Sequence, residues 1–121
     1  MHQVALVVDD SMLIRHTVCR FLEDRGFAVE SATNGLDALE MLKTIAPDII
    51  ITDLQMPKMD GYQFMDVLKS RPETAQIPIV VLSARQYSVD GKLASNSQHV
   101  IYKDIEIEIQ LQRVLESILP P

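Results

Sequence analysis

Residues 5–12 read ALVVDDSM, an apolar run that ends in two adjacent carboxylates, Asp9 and Asp10, and then a serine suited to cap a helix. Like charges 4 Å apart repel by about 4 kcal/mol at a protein-like dielectric, so two acids at the tip of a buried strand imply a cation between them. A third carboxylate, Asp53, ends the apolar run DIIITD; Ser83 ends IPIVVL, and Lys103 follows HVIY. Three convergent carboxylates with carbonyl and water oxygens nearby form a hard-oxygen site for a divalent ion such as Mg²⁺ that keeps several waters. One carboxylate can then act as a nucleophile toward phosphorus, forming an acyl phosphate. Metal and Lys103 ammonium would neutralise charge on the transferring group, and Ser83 would hydrogen-bond a phosphoryl oxygen.

These side chains meet only if the fold gathers the ends of separate runs. Strand-like stretches alternate with amphipathic helical ones: a strand at Val4 to Val8, then a helix from about Ser11 to Arg25 with Ile14, Val18, Phe21 and Leu22 on one stripe and Gly26 as its stop. FAVESA alternates as a second strand. Asn34 caps a second helix in which Ala38, Leu39, Leu42 and Ile45 share a face. DIIITD and IPIVVLSA are continuously apolar, as suits parallel strands covered on both faces. MPKMDGY breaks the chain between them, and a third helix runs from about Asp60 to Ser70. HVIY reads as a fifth strand. In the terminal segment Ile105, Ile107, Ile109 and Leu111 alternate like a strand, but Ile107, Leu111, Val114, Leu115 and Ile118 make a longer helical stripe, so a helix is expected, with Ile105 and Ile109 off its apolar face. Between Arg85 and Gln98 the periodicity fails, and the helix between the fourth and fifth strands, helix four, is expected to be reduced.

The βα alternation implies an α/β fold, a doubly wound five-stranded parallel sheet in a flavodoxin-like (βα)5 three-layer sandwich. Such sheets place their sites beyond the carboxyl ends of the strands, near the switch in strand order, which is where Asp9, Asp10, Asp53, Ser83 and Lys103 fall.

The chain of 121 residues is sized for one domain. Its single Cys19 cannot form an internal disulfide and reads as a small residue at the core edge, in a protein of a reducing compartment, the cytoplasm. No apolar run approaches the length of a membrane span, and a net charge of −6, from 17 acidic against 11 basic residues, gives no general attraction to nucleic acid. His2, His16 and His99 lack ligand spacing.

The stretches VVDDSMLIR, ATNGLDAL, DIIITDLQMPKMDGY, IPIVVLSA and the YK at 102–103 resemble, over essentially the whole of 1–121, a receiver domain of the two-component response-regulator family, of the single-domain, chemotaxis-like type. The resemblance implies that Asp53 is the phosphoacceptor, that Asp9, Asp10 and Asp53 hold Mg²⁺ (or Mn²⁺) with the backbone carbonyl of Gln55, that Ser83 is the switch hydroxyl and that Lys103 binds the phosphoryl group. A sensor histidine kinase or histidine phosphotransfer protein would be the donor, and a downstream protein target or output domain the reader; a homodimer is compatible with this. The domain would catalyse only its own phosphoryl transfer and slow dephosphorylation.

Two positions depart from the family pattern. Asp104 stands where proline usually follows the lysine, so a trans bond is expected, and Val100 stands where the family prefers Tyr or Phe, with Tyr102 beside the lysine instead. The phosphorylation chemistry is therefore better matched than the output surface. A flavin carrier on the same topology would need a hydroxyl- and glycine-rich loop where DDSM stands. An aspartyl phosphatase would resemble a pattern with a second acid at Gln55. The alternative is a pseudo-receiver that binds partners without phosphorylation: the intact acids argue against it and the atypical output region argues for it.

Overall fold

The computed structural model describes residues 3–84, 99–103 and 106–118. Within them the chain alternates as β1 (Val4–Val8), α1 (Met12–Glu23), β2 (Ala28–Ala32), α2 (Gly35–Met41), β3 (Ile49–Asp53), α3 (Gly61–Ser70), β4 (Ile79–Ser83), β5 (His99–Tyr102) and α4 (Ile107–Ile118). The strands form one sheet of order β2-β1-β3-β4-β5, every pair parallel. The expected doubly wound architecture is present. The reduced helix expected between the fourth and fifth strands, the placing of Ile105 and the trans bond expected between Lys103 and Asp104 all fall outside the described residues.

The continuous apolar runs are buried for the reason their pattern suggested. Successive residues point to opposite faces, so Val7, Ile49, Ile51 and Leu82 pack under α1 and α4, whereas Leu6, Val8, Ile50 and Val81 pack under α2 and α3. β3 and β4 are buried at every position. β2 lies at the sheet edge, and only Ala32 in it is fully buried.

Helix boundaries follow their capping chemistry. Ser11 is the N-cap of α1, its Oγ accepting from Ile14 N, so the helix itself begins one residue later than the expected Ser11. Its C-terminal end comes earlier than Arg25: Gly26 takes a φ of +89°, and the amides of Gly26 and Phe27 donate back to the Glu23 and Leu22 carbonyls. α2 stops at Met41, short of the expected stripe through Ile45. Leu42 caps it and Lys43–Thr44 turn, but Leu42 and Ile45 still pack on the core beneath. Asp60 is the N-cap of α3, not its first residue. It forms a reciprocal capping box with Gln63, at 2.9 Å and 3.1 Å.

The helical stripe prevails over strand alternation in the terminal segment. Ile107, Leu111 and Leu115 are buried, Val114 and Ile118 pack beside them, and Ile109 is left 47% exposed. Cys19 is half-buried against the α1-side core, where burial pushes its thiol pKa up. No described helix is long and apolar enough to cross a membrane.

Candidate functional site: an acidic cleft bridged by a lysine

The reversal of strand order beside β1 leaves a crevice at the carboxyl ends of β1, β3, β4 and β5. Asp9 extends the β1 ladder, its amide donating to the Ala32 carbonyl, while its Oδ1 accepts from Ser11 N at 2.8 Å. Arg15, one turn into α1, reaches back so that Nη1 donates to the Asp9 carbonyl at 2.8 Å. The Ser11 amide thus holds the Asp9 carboxylate, and Arg15 holds the backbone that carries it. Asp10 next to it is exposed.

Asp53 closes β3 and is buried, and its Oδ1 accepts from Leu54 N at 2.8 Å and, more weakly, from Gln55 N at 3.5 Å. Gly61 lets α3 approach it. The Gly61 amide donates to the Leu54 carbonyl at 2.9 Å, and a Cβ at this position would collide with the Asp53 carbonyl oxygen and stand 2.8 Å from Leu54 Cα. Neither neighbour is a side chain that can swing aside. We expect Gly61→Ala to cost about 2–3 kcal/mol in urea unfolding; an unchanged midpoint would show that the strand end yields freely.

Lys103 is delivered by β5. Its amide donates to the Ser83 carbonyl at 2.9 Å, and the Gln110 side chain of α4 pairs with both backbone groups of Tyr102, at 3.0 Å and 2.9 Å, as a neighbouring strand would. The ammonium then spans two acids, 2.9 Å from Asp9 Oδ2 and 3.0 Å from Asp53 Oδ2.

The electrostatics follow from burial and these pairings. Burial pushes the Asp53 carboxyl up to about 6, the Asp9 charge adds to the rise, and the Lys103 ammonium and Leu54 amide oppose it. For Lys103, burial works against the charge, but hydrogen bonding and attraction from Asp9, then Asp53, prevail and hold the ammonium above the ordinary lysine range.

One carboxylate oxygen from each of Asp9, Asp10 and Asp53 lies within 4.8 Å of the others. Asp9 Oδ2 is completely buried, and apart from the nearby ammonium no donor among the described residues is directed at it as a hydrogen bond. Such an oxygen is suited to a cation. The set is all oxygen, with one open edge at Asp10 for water, and fits a Mg²⁺-type ion better than a soft metal.

All of the sequence-predicted residues converge. Asp10, Asp53, Gln55, Ser83 and Lys103 line one cavity of about 250 Å³, together with Leu54, Tyr62 and Ala84, and Asp9 lies behind them in contact with Lys103. Ser83 is buried, and its hydroxyl donates to the Ala84 carbonyl at 3.1 Å. Two contributors had not been anticipated. Arg15 entered the sequence reading only as the last residue of VVDDSMLIR, with no role given to it, although its reach to the Asp9 carbonyl needs only a long side chain on the first turn. Tyr62 had been read as part of the turn; its place directly after a glycine pressed on the strand end was the available signal.

The fold and site define a doubly wound α/β protein with an acidic, lysine-bridged cleft. The chain belongs to the response regulator receiver domain family, whose family model matches residues 5–114. It is 40% identical over 86 residues to the response regulator Rre1 of Synechocystis, covering 70% of this chain and 37% of that protein. With the gliding motility regulatory protein of Myxococcus xanthus it shares 33% identity over 112 residues, 90% of this chain and 14% of that one. The chain thus spans well under half the length of these curated relatives. Among solved structures, chemotaxis response regulator CheY4 of Vibrio cholerae superposes with a TM-score of 0.87 at 28% identity, covering 98% of this chain and 100% of that one. The receiver domain of sensor histidine kinase PA1611 from Pseudomonas aeruginosa, a structure with magnesium coordinated in its active-site cleft, shares the fold at a TM-score of 0.86 and 22% identity, with both chains covered completely.

Proposed function

We propose that residues 1–121 act as one receiver unit in which Asp53 accepts a phosphoryl group from the phosphohistidine of a sensor histidine kinase or histidine phosphotransfer protein, in the cytoplasm. The observation that carries this is the Lys103 ammonium lying within 3.0 Å of both Asp53 and Asp9 at the mouth of a cleft with a third carboxylate. The family role and the magnesium in the PA1611 cleft agree with it.

In the transfer, an Asp53 oxygen attacks phosphorus, a P–O bond forms as the P–N bond to the donor imidazole breaks, and the imidazole leaves to take up a proton. Asp9, Asp10 and Asp53 would hold Mg²⁺ or Mn²⁺, with the Gln55 backbone carbonyl as a further ligand. When bound, the metal neutralises charge on the phosphoryl oxygens. Lys103 exchanges its contact with Asp53 for one with the incoming phosphoryl group while retaining Asp9. Ser83, by rotating from the Ala84 carbonyl, donates to a phosphoryl oxygen. That rotation makes the β4 end sense the modification, and a downstream protein or output domain reads the result.

Intact mass after incubation with acetyl phosphate tests the reading. An addition of about 80 Da that requires Mg²⁺, disappears with EDTA and is removed by hydroxylamine supports an aspartyl phosphate. No addition from either acetyl phosphate or a phosphorylated histidine kinase, under conditions where Mg²⁺ binds, would overturn it in favour of a receiver that binds partners unmodified.

A further inference from the structure

We propose that Tyr62 is the fixed wall of the phosphoacceptor cavity and sets the lifetime of the acyl phosphate by excluding the hydrolytic water; this rests on the reading of Asp53 as phosphoacceptor. Tyr62 is the sole aromatic residue lining the cavity among the described residues, where the other groups facing Asp53 are mostly polar: Asp10, Gln55, Ser83 and Lys103. It is half-buried and packs on the α2–α3 side of the core, so its ring is held between hydrophobic contacts and the cleft.

The backbone beneath it has little freedom. Gly61, the preceding residue, presses on the Asp53 and Leu54 backbone without room for a Cβ, and its amide is bonded to the Leu54 carbonyl. The Asp60–Gln63 capping box locks the same turn, and Phe64 and Met65 anchor the next residues in the core. The backbone that carries the Tyr62 ring is therefore held in place at the edge of the cavity.

Hydrolysis needs a water on the side of phosphorus opposite the Asp53 oxygen. The water oxygen bonds to phosphorus, the P–O bond to Asp53 breaks, and the products are the Asp53 carboxylate and dihydrogen phosphate, which passes a proton to solvent. A cavity of about 250 Å³ holds a phosphoryl group with a few waters, so the Tyr62 ring in its lining takes up volume those waters would otherwise fill. Shielding a reactive intermediate from water is a recognised use of an apolar wall.

The experiment follows loss of the 80 Da-type adduct by intact mass after removal of acetyl phosphate, for wild type, Tyr62→Phe, Tyr62→Leu and Tyr62→Ala, with Mg²⁺ affinity measured by calorimetry and folding by circular dichroism. Tyr62→Ala is expected to shorten the lifetime about 5- to 10-fold, Tyr62→Leu to fall between, and Tyr62→Phe to match wild type, with Mg²⁺ affinity constant within about two-fold. Adducts that form in all four proteins and decay at one rate overturn the proposal but leave Asp53 as the acceptor. A Tyr62→Phe lifetime as short as that of Tyr62→Ala overturns it too, by assigning the effect to the hydroxyl. Failure of wild type itself to form an adduct overturns the Asp53 reading and the proposal together. Should Tyr62→Ala be unfolded, the Leu and Phe variants alone decide the order.

Discussion

Asp53→Asn is expected to abolish the hydroxylamine-labile adduct and at the same time to stabilise the metal-free protein near neutral pH. The first effect follows because an amide is a far weaker nucleophile toward phosphorus and cannot form the acyl phosphate under these conditions. The second follows from burial. The Asp53 carboxyl is raised to about 6 from an ordinary 3.8, so between those values the folded protein binds more protons than the unfolded chain. Stability from this group is therefore lost as pH rises through about 4 to 6, and above that range the ionised carboxylate is a net cost. Allowing for screening on the open side of the cleft, that cost is about 1–2 kcal/mol, which corresponds to a thermal midpoint higher by roughly 5 °C for Asp53→Asn in EDTA at about pH 7.5. The advantage should shrink steadily on titration to pH 4 and also when Mg²⁺ is added to wild type, since an ion that binds only the native state restores stability. Thermal unfolding of both proteins across that pH range, with and without Mg²⁺, measures it. An Asn variant no more stable than wild type at neutral pH would mean that the Lys103 contact fully offsets the burial of Asp53.

The same site shows why some of this structure was legible in the sequence and some was not. β3 and β4 were readable because the uninterrupted apolar runs at residues 49–51 and 79–82, covered on both faces, need no context to identify them, and Asp53 and Ser83 come at the ends of those strands. One topological rule then brought Asp9, Asp10, Asp53, Ser83 and Lys103 together. The terminal segment was harder, because Ile105, Ile107, Ile109 and Leu111 satisfy a strand period; only the extension of the helical stripe to Leu115 and Ile118 separates the two patterns, and the exposed Ile109 is what remains of the losing one. Helix ends were displaced by a residue or more because capping residues sit outside the helices they start, as Ser11 and Asp60 do. What the sequence concealed were contacts made by long side chains across elements. Arg15 on the Asp9 carbonyl, Gln110 standing in for a strand beside Tyr102, and the single ammonium of Lys103 shared between Asp9 and Asp53 each depend on a reach that no periodicity encodes.

That shared ammonium makes opposite demands on binding and chemistry, so Lys103→Met is expected to move them in opposite directions. In the metal-free protein Lys103 is the cation that faces the buried carboxylates of Asp9 and Asp53, and removing it leaves two neighbouring acids without that partner. Breaking a buried pair costs about 3 kcal/mol, so the variant should unfold at lower urea or temperature in EDTA. For a divalent ion the same change is favourable, because a competing positive charge has gone and the freed oxygens face the site; Mg²⁺ should bind a few-fold more tightly and recover more stability in Lys103→Met than in wild type. Phosphoryl transfer should nevertheless fall by about 100-fold or more from any donor, since among the described residues lining the cavity Lys103 is the side-chain cation that can neutralise the oxygens of the transferring group. Lys103→Arg separates charge from fit: it keeps the positive charge but replaces a compact ammonium with a planar fork, and should retain stability better than transfer rate. Calorimetry with Mg²⁺ and the initial rate of adduct formation, measured on the same preparations, give both quantities. A variant that loses Mg²⁺ affinity along with transfer would show that Lys103 orders the acids rather than competing for them, and one that transfers at the wild-type rate would remove the lysine from the chemistry altogether.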